Sequence, residues 1–181
     1  YRASRNNDKG GMWLFTTEVE RFIPPKKGRG HVWRLIQEIL TFEPEHKGTD
    51  LVGALEYAGH LLRKKTVRFL ISDFLDTGYS RSLVLASKRH DITAIRVRDP
   101  REDKLEAVGL LPLEDSETGR VQWVDTSSRK VREHFEKQAR LKLQESKDIL
   151  RRSGVDEVEV MTTGSSVDPL MRYFRNRDRR R

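Results

Sequence analysis

Apolar positions along this chain follow two periods. Short runs such as Met12-Trp13-Leu14-Phe15-Thr16, residues 67–71, 92–97 and 155–161 read as strands, and the segments between them repeat every three to four residues, as helices do. Glu18-Val19-Glu20-Arg21-Phe22-Ile23 alternates partly and is expected to stop at Pro24-Pro25, which lack N–H donors. It would pair antiparallel with the first strand, at a sheet edge. Val32, Leu35, Ile36, Ile39 and Leu40 mark the inward face of a first helix. Leu51, Ala54, Leu55, Ala58, Leu61 and Leu62 mark a second, with Thr49 or Asp50 as N-cap and Arg63-Lys64-Lys65 where cations suit a helix end.

A third helix is expected over 79–90. Strands alternating with helices predict an α/β fold with a mainly parallel sheet. A hairpin then follows, with strands at 108–113 and 121–124 joined by a turn at 115–119. Ser127 or Ser128 caps a long charged helix that reaches Ser153-Gly154 with Val131, Phe135, Ala139 and Ile149 inward. Asp168-Pro169 is read as the cap and first position of a short closing helix. One domain is expected over 1–174, with a basic tail over 175–181.

Composition narrows this picture. A chain of 181 residues builds one core. Its 35% hydrophobic and 35% charged residues give that core a heavily charged surface, with a net charge of +8. Cys is absent, which removes disulfides and thiolate zinc sites. No run approaches the ~18 apolar residues of a membrane span, and no signal-peptide pattern is present. Cytoplasmic residence is the expectation. The chain opens on Tyr1, and residues 1–8 read as a helix end running into an Asn/Asp turn. It is therefore expected to be a fragment that has lost an N-terminal part.

Two segments carry the candidate chemistry. Gly48-Thr49-Asp50-Leu51 sets a hydroxyl and a carboxylate in a loop opening onto a helix. Leu70-Ile71-Ser72-Asp73-Phe74-Leu75-Asp76 ends a hydrophobic run in an acid, where a strand leaves its sheet and open α/β sheets bind ligands. Thr49 and Asp73 are the candidate ligands of one hard cation, which asks for about six oxygens. Asp50, Ser72 and Asp76 stand at the rim. Each also has a plainer reading: Thr49 and Asp50 as caps, Asp73 as a turn former or cap, and Asp76 as turn chemistry before Gly78 or a water-mediated second contact.

No other constellation competes. The five histidines lack metal-binding spacing, Ser165-Ser166 lacks a nucleophile elbow, and no phosphate loop is present. Lys26-Lys27-Gly28-Arg29 and the basic tail could neutralise phosphates, so a nucleic-acid-binding α/β module is the alternative. Neither run interleaves aromatics for base stacking, which favours a protein partner.

The ordered segments Asn7-Asp8-Lys9, Phe22-Ile23-Pro24-Pro25-Lys26, Gly48-Thr49-Asp50-Leu51, Phe69-Leu70-Ile71-Ser72-Asp73-Phe74-Leu75-Asp76, Asp99-Pro100-Arg101-Glu102, Val124-Asp125-Thr126 and Asp168-Pro169-Leu170 resemble domain-of-unknown-function family 58. The resemblance covers nearly the whole chain. It implies a von Willebrand factor A-like, three-layer αβα fold: a mainly parallel sheet with an antiparallel edge strand, here lacking its first central strand. It also implies a non-enzymatic role beside a MoxR-type AAA+ ATPase, in complex assembly or chaperone-like maturation. Domains of this type often carry a metal-ion-dependent adhesion site for Mg²⁺ or another divalent cation. By resemblance, Thr49 matches its Thr and Asp73 its last Asp. The Asp-x-Ser-x-Ser segment that completes such a site is not in this chain and would lie upstream of Tyr1.

Overall fold

The computed structural model describes residues 8–114 and 120–179. The hairpin turn read at 115–119 and the helix end read over the first residues lie outside them. In chain order the elements are β1 (Gly10–Phe15), β2 (Val19–Lys26), α1 (Arg29–Thr41), α2 (Leu51–Leu61), β3 (Val67–Ser72), α3 (Ser80–Arg89), β4 (Asp91–Arg98), a 3-10 turn (Pro100–Glu102), β5 (Leu110–Glu114), β6 (Val121–Asp125), α4 (Arg129–Arg152), β7 (Asp156–Met161) and α5 (Val167–Arg179).

The centre is the parallel sheet β3-β4-β7, reached through two helical crossovers. Strand residues alternate between its faces. One face carries Leu70, Ile92 and Ala94, which form the core with Leu51 and Leu55 of α2, Leu83 and Ala86 of α3, and Leu150 of α4. The other face receives α5, where Thr93 bonds the Tyr173 hydroxyl at 2.8 Å and Phe69 meets Phe174 edge-on with centroids 5.7 Å apart. Helices on both faces make the three-layer αβα arrangement that the resemblance implies, around the parallel sheet that the alternating pattern predicts.

β1 and β2 form a separate antiparallel pair, with no ladder among the described residues joining them to the parallel sheet. Two links bridge the divide: Asp50 N donates to Thr16 O at 2.8 Å, and the Arg68 guanidinium lies 5.9 Å from the centre of the Trp13 ring. The expected stop of β2 at its prolines needs correction. β2 runs through Pro24 and Pro25 to Lys26, because both fall in a bulge between the Met12–Ile23 and Gly10–Lys26 pairs, where the ladder asks for no donor.

The inward face expected for α1 is also corrected. His31 Nε2 bonds Gly10 O at 2.8 Å, Glu38 pairs with Arg21 at 2.6 Å and the expected Leu35 lies half-buried beside Gly10, so the helix meets the hairpin along its His31–Leu35–Glu38 flank. Val32, Ile36, Ile39 and Leu40 (78% exposed) face outward with Trp33 (65% exposed). A hairpin two strands wide offers too little apolar surface to cover that arc.

Two arginines are buried on the core face of the parallel sheet, Arg68 and Arg96. Arg68 has no carboxylate among the described residues. Its Nη2 donates to Ala58 O at 3.0 Å, at the C-terminus of α2, and to His90 Nε2 at 2.9 Å. His90 Nε2 is therefore the acceptor, and Nδ1–H is left for the Thr66 hydroxyl at 3.1 Å, which fixes a neutral tautomer. Burial first, then the charges of Arg68 and Arg89, push the His90 pKa below its ordinary 6.5.

The unfolded chain thus binds a proton here that the folded chain refuses. Its contribution to stability is complete above pH 6.5 and is lost as pH falls through the folded value. Unfolding midpoints across a pH series are expected to decline from that point downward, and His90→Gln to flatten this limb. A flat wild-type profile between pH 6.5 and 5 would contradict the assignment.

The remaining elements agree in type with the sequence pattern and differ in detail. β5 and β6 pair as the expected hairpin, closed by Thr126, whose hydroxyl donates to Gly109 O at 2.7 Å and accepts from Val108 N at 3.0 Å. In α4 the fully buried residues are Ser146 and Leu150 near the C-terminus, while Val131, Phe135, Ala139 and Ile149 are half-buried. At about 36 Å, a 24-residue helix outruns the sheet it packs on. α5 begins at Val167, which places Asp168 inside its first turn, where the Asp168 N–H bonds Ser165 Oγ at 3.3 Å. Residues 175–179, read as tail, continue this helix, and Arg177 ties it to Asp91, Thr93 and Tyr173.

Candidate functional site

Two loops meet at the C-terminal end of β3. The first, Gly48-Thr49-Asp50, enters α2. Gly48 has φ of +94°, a backbone that L side chains resist, and an added Cβ would press on Thr17 at 3.1 Å. Asp50 caps the helix by accepting from Gly53 N at 2.9 Å. A Cβ at Gly53 would stand 2.4 Å from the Asp50 carboxylate, so any larger residue there would shift the capping side chain. Thr49 is half-buried, and its hydroxyl makes no hydrogen bond among the described residues.

Upstream, Glu20 fastens the segment leading into this loop. Its carboxylate accepts from Glu45 N at 2.8 Å, from His46 N at 3.1 Å and from the Thr16 hydroxyl. The Thr16 bond first, then the backbone donors, pull its pKa down from 4.5 to about 2.

The second loop runs from Ser72 to Asp76. Asp73 is exposed, and its Oδ1 accepts from Leu75 N at 3.1 Å and from Ser72 Oγ at 3.3 Å. Ser72 Oγ also accepts from Phe74 N at 3.1 Å. Phe74 has φ of +60°, a left-handed conformation costing a bulky residue about 1–2 kcal/mol. Its ring is buried in the core, 6.1 Å from the Tyr79 ring. Under the loop, Arg96 reaches from β4. Its Nη1 donates to Asp73 O at 2.8 Å, its Nε pairs with Glu157 Oε1 at 2.5 Å, and its guanidinium stacks 5.1 Å from the centre of the Phe74 ring. The buried Tyr79 hydroxyl beside this cluster has no hydrogen-bond partner among the described residues, and burial raises its pKa to about 12.

Asp76 joins the two loops. Its Oδ2 accepts from Leu51 N, the first residue of α2, at 2.8 Å, and its Oδ1 from Thr77 N at 2.6 Å. The structure therefore places the predicted residues as follows. Asp50 is a cap, Ser72 and Asp76 order the rim, and Thr49 and Asp73 each keep an oxygen without a partner among the described residues. Among the described residues no group of three or more His, Asp or Glu is placed to hold a metal ion. The hydroxyl and carboxylate suit a hard cation in kind, but they are two donors where about six are wanted. The surface depressions between α2 and α3 and along α4 do not include either residue.

Glu20 and Arg96 were not singled out in the sequence. Arg96 did leave a signal, a charge in the middle of the apolar run 92–97, whereas Glu20 reads as an ordinary outward strand residue.

An uncharacterized protein of Mycobacterium avium is 28% identical over 160 residues, which is 87% of this chain and 94% of that one. An uncharacterized protein of Mycobacterium tuberculosis (strain ATCC 25618 / H37Rv) is 33% identical over 100 residues, 54% of this chain, and the match spans only 32% of that relative's length. The crystal structure of conserved hypothetical protein BatB from Bacteroides thetaiotaomicron superposes with a TM-score of 0.53 at 15% identity, covering 91% of this chain and 76% of that one, which supports the fold alone. Among the described residues no helix is long and apolar enough to cross a membrane. The model of the family described as "Protein of unknown function DUF58" matches residues 1–145, and the chain belongs to that family.

Proposed function

We propose that this chain is a non-enzymatic protein–protein interaction domain whose contact surface is the rim formed by the Thr49 and Asp73 loops. A hard divalent cation such as Mg²⁺, held partly by the Thr49 hydroxyl and the Asp73 carboxylate, would supply charge for a carboxylate of the partner. The von Willebrand A-like resemblance suggests a MoxR-type AAA+ ATPase as that partner, in the cytoplasm, in complex assembly or chaperone-like maturation. The observation carrying this reading is the Asp76–Leu51 hydrogen bond, which fastens the two loops into one surface at the sheet's C-terminal edge.

In a binding titration with the ATPase, Asp73→Ala is expected to weaken affinity at least tenfold, and EDTA to do the same to the unaltered protein. If both leave affinity unchanged, the cation has no part in the contact. Nucleic acid is the second reading, favoured by the net charge of +8. Arg177 is already engaged by Asp91, which subtracts from the basic end. Gel-shift binding that collapses with salt and survives EDTA would favour it.

A further inference from the structure

We propose that Arg96 is the positioning residue of this rim: from inside the sheet it fixes the Asp73 peptide, and so sets where the Asp73 carboxylate points. The inference rests on the interaction reading above and extends it to a residue outside both motifs.

Arg96 is 1% exposed, although it carries a charge. Burying a guanidinium is costly unless its donors are matched. Two of its three nitrogens are matched, while Nη2 is buried without a hydrogen-bond partner among the described residues. Glu157, on the neighbouring strand β7, anchors Nε, while Nη1 crosses beneath the end of β3 to the Asp73 carbonyl, 23 positions earlier in sequence. The guanidinium plane also lies over the Phe74 ring, the residue with the left-handed backbone.

A peptide whose next residue is held at φ of +60° has a strong tendency to relax. A rigid, planar donor bonded to its carbonyl and packed on its side chain opposes that relaxation. Relaxation would rotate the Asp73 peptide and carry the exposed carboxylate with it. Arg68 is a natural contrast. It is buried on the adjacent strand at 6% exposure, but it bonds Ala58, Thr66 and His90 and touches no residue of the rim.

Lysine cannot reproduce this geometry, because a single ammonium cannot serve both Glu157 and the Asp73 carbonyl in a fixed plane. The test uses Mn²⁺ as the probe and reads its broadening of the Asp73, Phe74 and Leu75 amide signals in the protein, with the Phe74 ³J(HN–Hα) coupling as a gauge of its backbone. Arg96→Lys is expected to weaken Mn²⁺ binding tenfold or more, as loss of an outer partner of a metal ligand commonly does, and to shift the Phe74 coupling. Arg68→Lys is expected to lower the unfolding midpoint while leaving both signals unchanged.

If Arg96→Lys does not fold, Glu157→Gln loosens the anchor with Arg96 in place and is expected to move both signals in the same direction. Mn²⁺ binding unchanged in the Arg96 or Glu157 variant overturns the positioning role and leaves the metal reading standing. Equal weakening by Arg68→Lys overturns it too, as a general stability effect. No Mn²⁺ binding by the unaltered protein overturns the metal reading and this role with it.

Discussion

Phe74→Ala is expected to lower the free energy of unfolding by about 3–5 kcal/mol, the range for truncating a fully buried phenylalanine. The ring is 1% exposed, packs on Tyr79 and lies beneath the Arg96 guanidinium, so its loss opens a cavity beside a buried charge. Alanine would inherit the left-handed backbone without the packing that holds it there. Small domains have only about 5–15 kcal/mol to lose. Urea denaturation followed by circular dichroism measures the change, with Phe74→Leu expected to lose clearly less. A loss under about 1 kcal/mol for Phe74→Ala would show that the core tolerates an empty site there and that the rim is not anchored through this residue.

Asp76→Ala should have the next largest effect, and on two properties together. Leu51 is fully buried at the first turn of α2, and its N–H depends on Asp76 Oδ2. Removing an acceptor from a buried donor costs about 1–3 kcal/mol. The carboxylate also stands at the positive end of the helix, where an anion is favourable. With the tie cut, the two loops no longer share a fixed separation, so partner binding is expected to fall along with stability. Asp76→Asn keeps an acceptor for Leu51 and should retain most of the stability. If binding to the partner is undisturbed in Asp76→Ala, the two loops do not act as one surface.

The fold was legible where apolar periodicity is strong and local. The strands at 67–72 and 91–98 and the helices starting at Leu51 and Ser80 are close to what the pattern predicts, because each buries its stripe against the same parallel sheet. α1 shows where periodicity misleads. Its stripe is as regular as that of α2, yet which way it faces depends on what stands opposite, and a two-stranded hairpin does not cover it.

The rim was legible in part. Motif spacing located Thr49, Asp50, Asp73 and Asp76, and the helix signature identified Asp50 as one of two possible caps. It could not show that Asp76 spends its carboxylate on a backbone donor 25 residues earlier, since that depends on tertiary placement. Nor could it tell Arg68 from Arg96. Both interrupt apolar strands, but one closes a helix end while the other reaches under a loop.

The two prolines of β2 have a consequence for the outside of the molecule. A strand with a free margin invites a foreign strand to align along it, and each amide hydrogen on that margin is a point of attachment. Successive residues direct their amides to opposite sides, so of two neighbouring prolines one removes an attachment point from the unpaired side of β2, next to an irregularity that bends the ribbon. Among the described residues, the margin of β2 that faces away from β1 is thereby a poorer template for self-association, a protection written into the chain by residues that carry no charge.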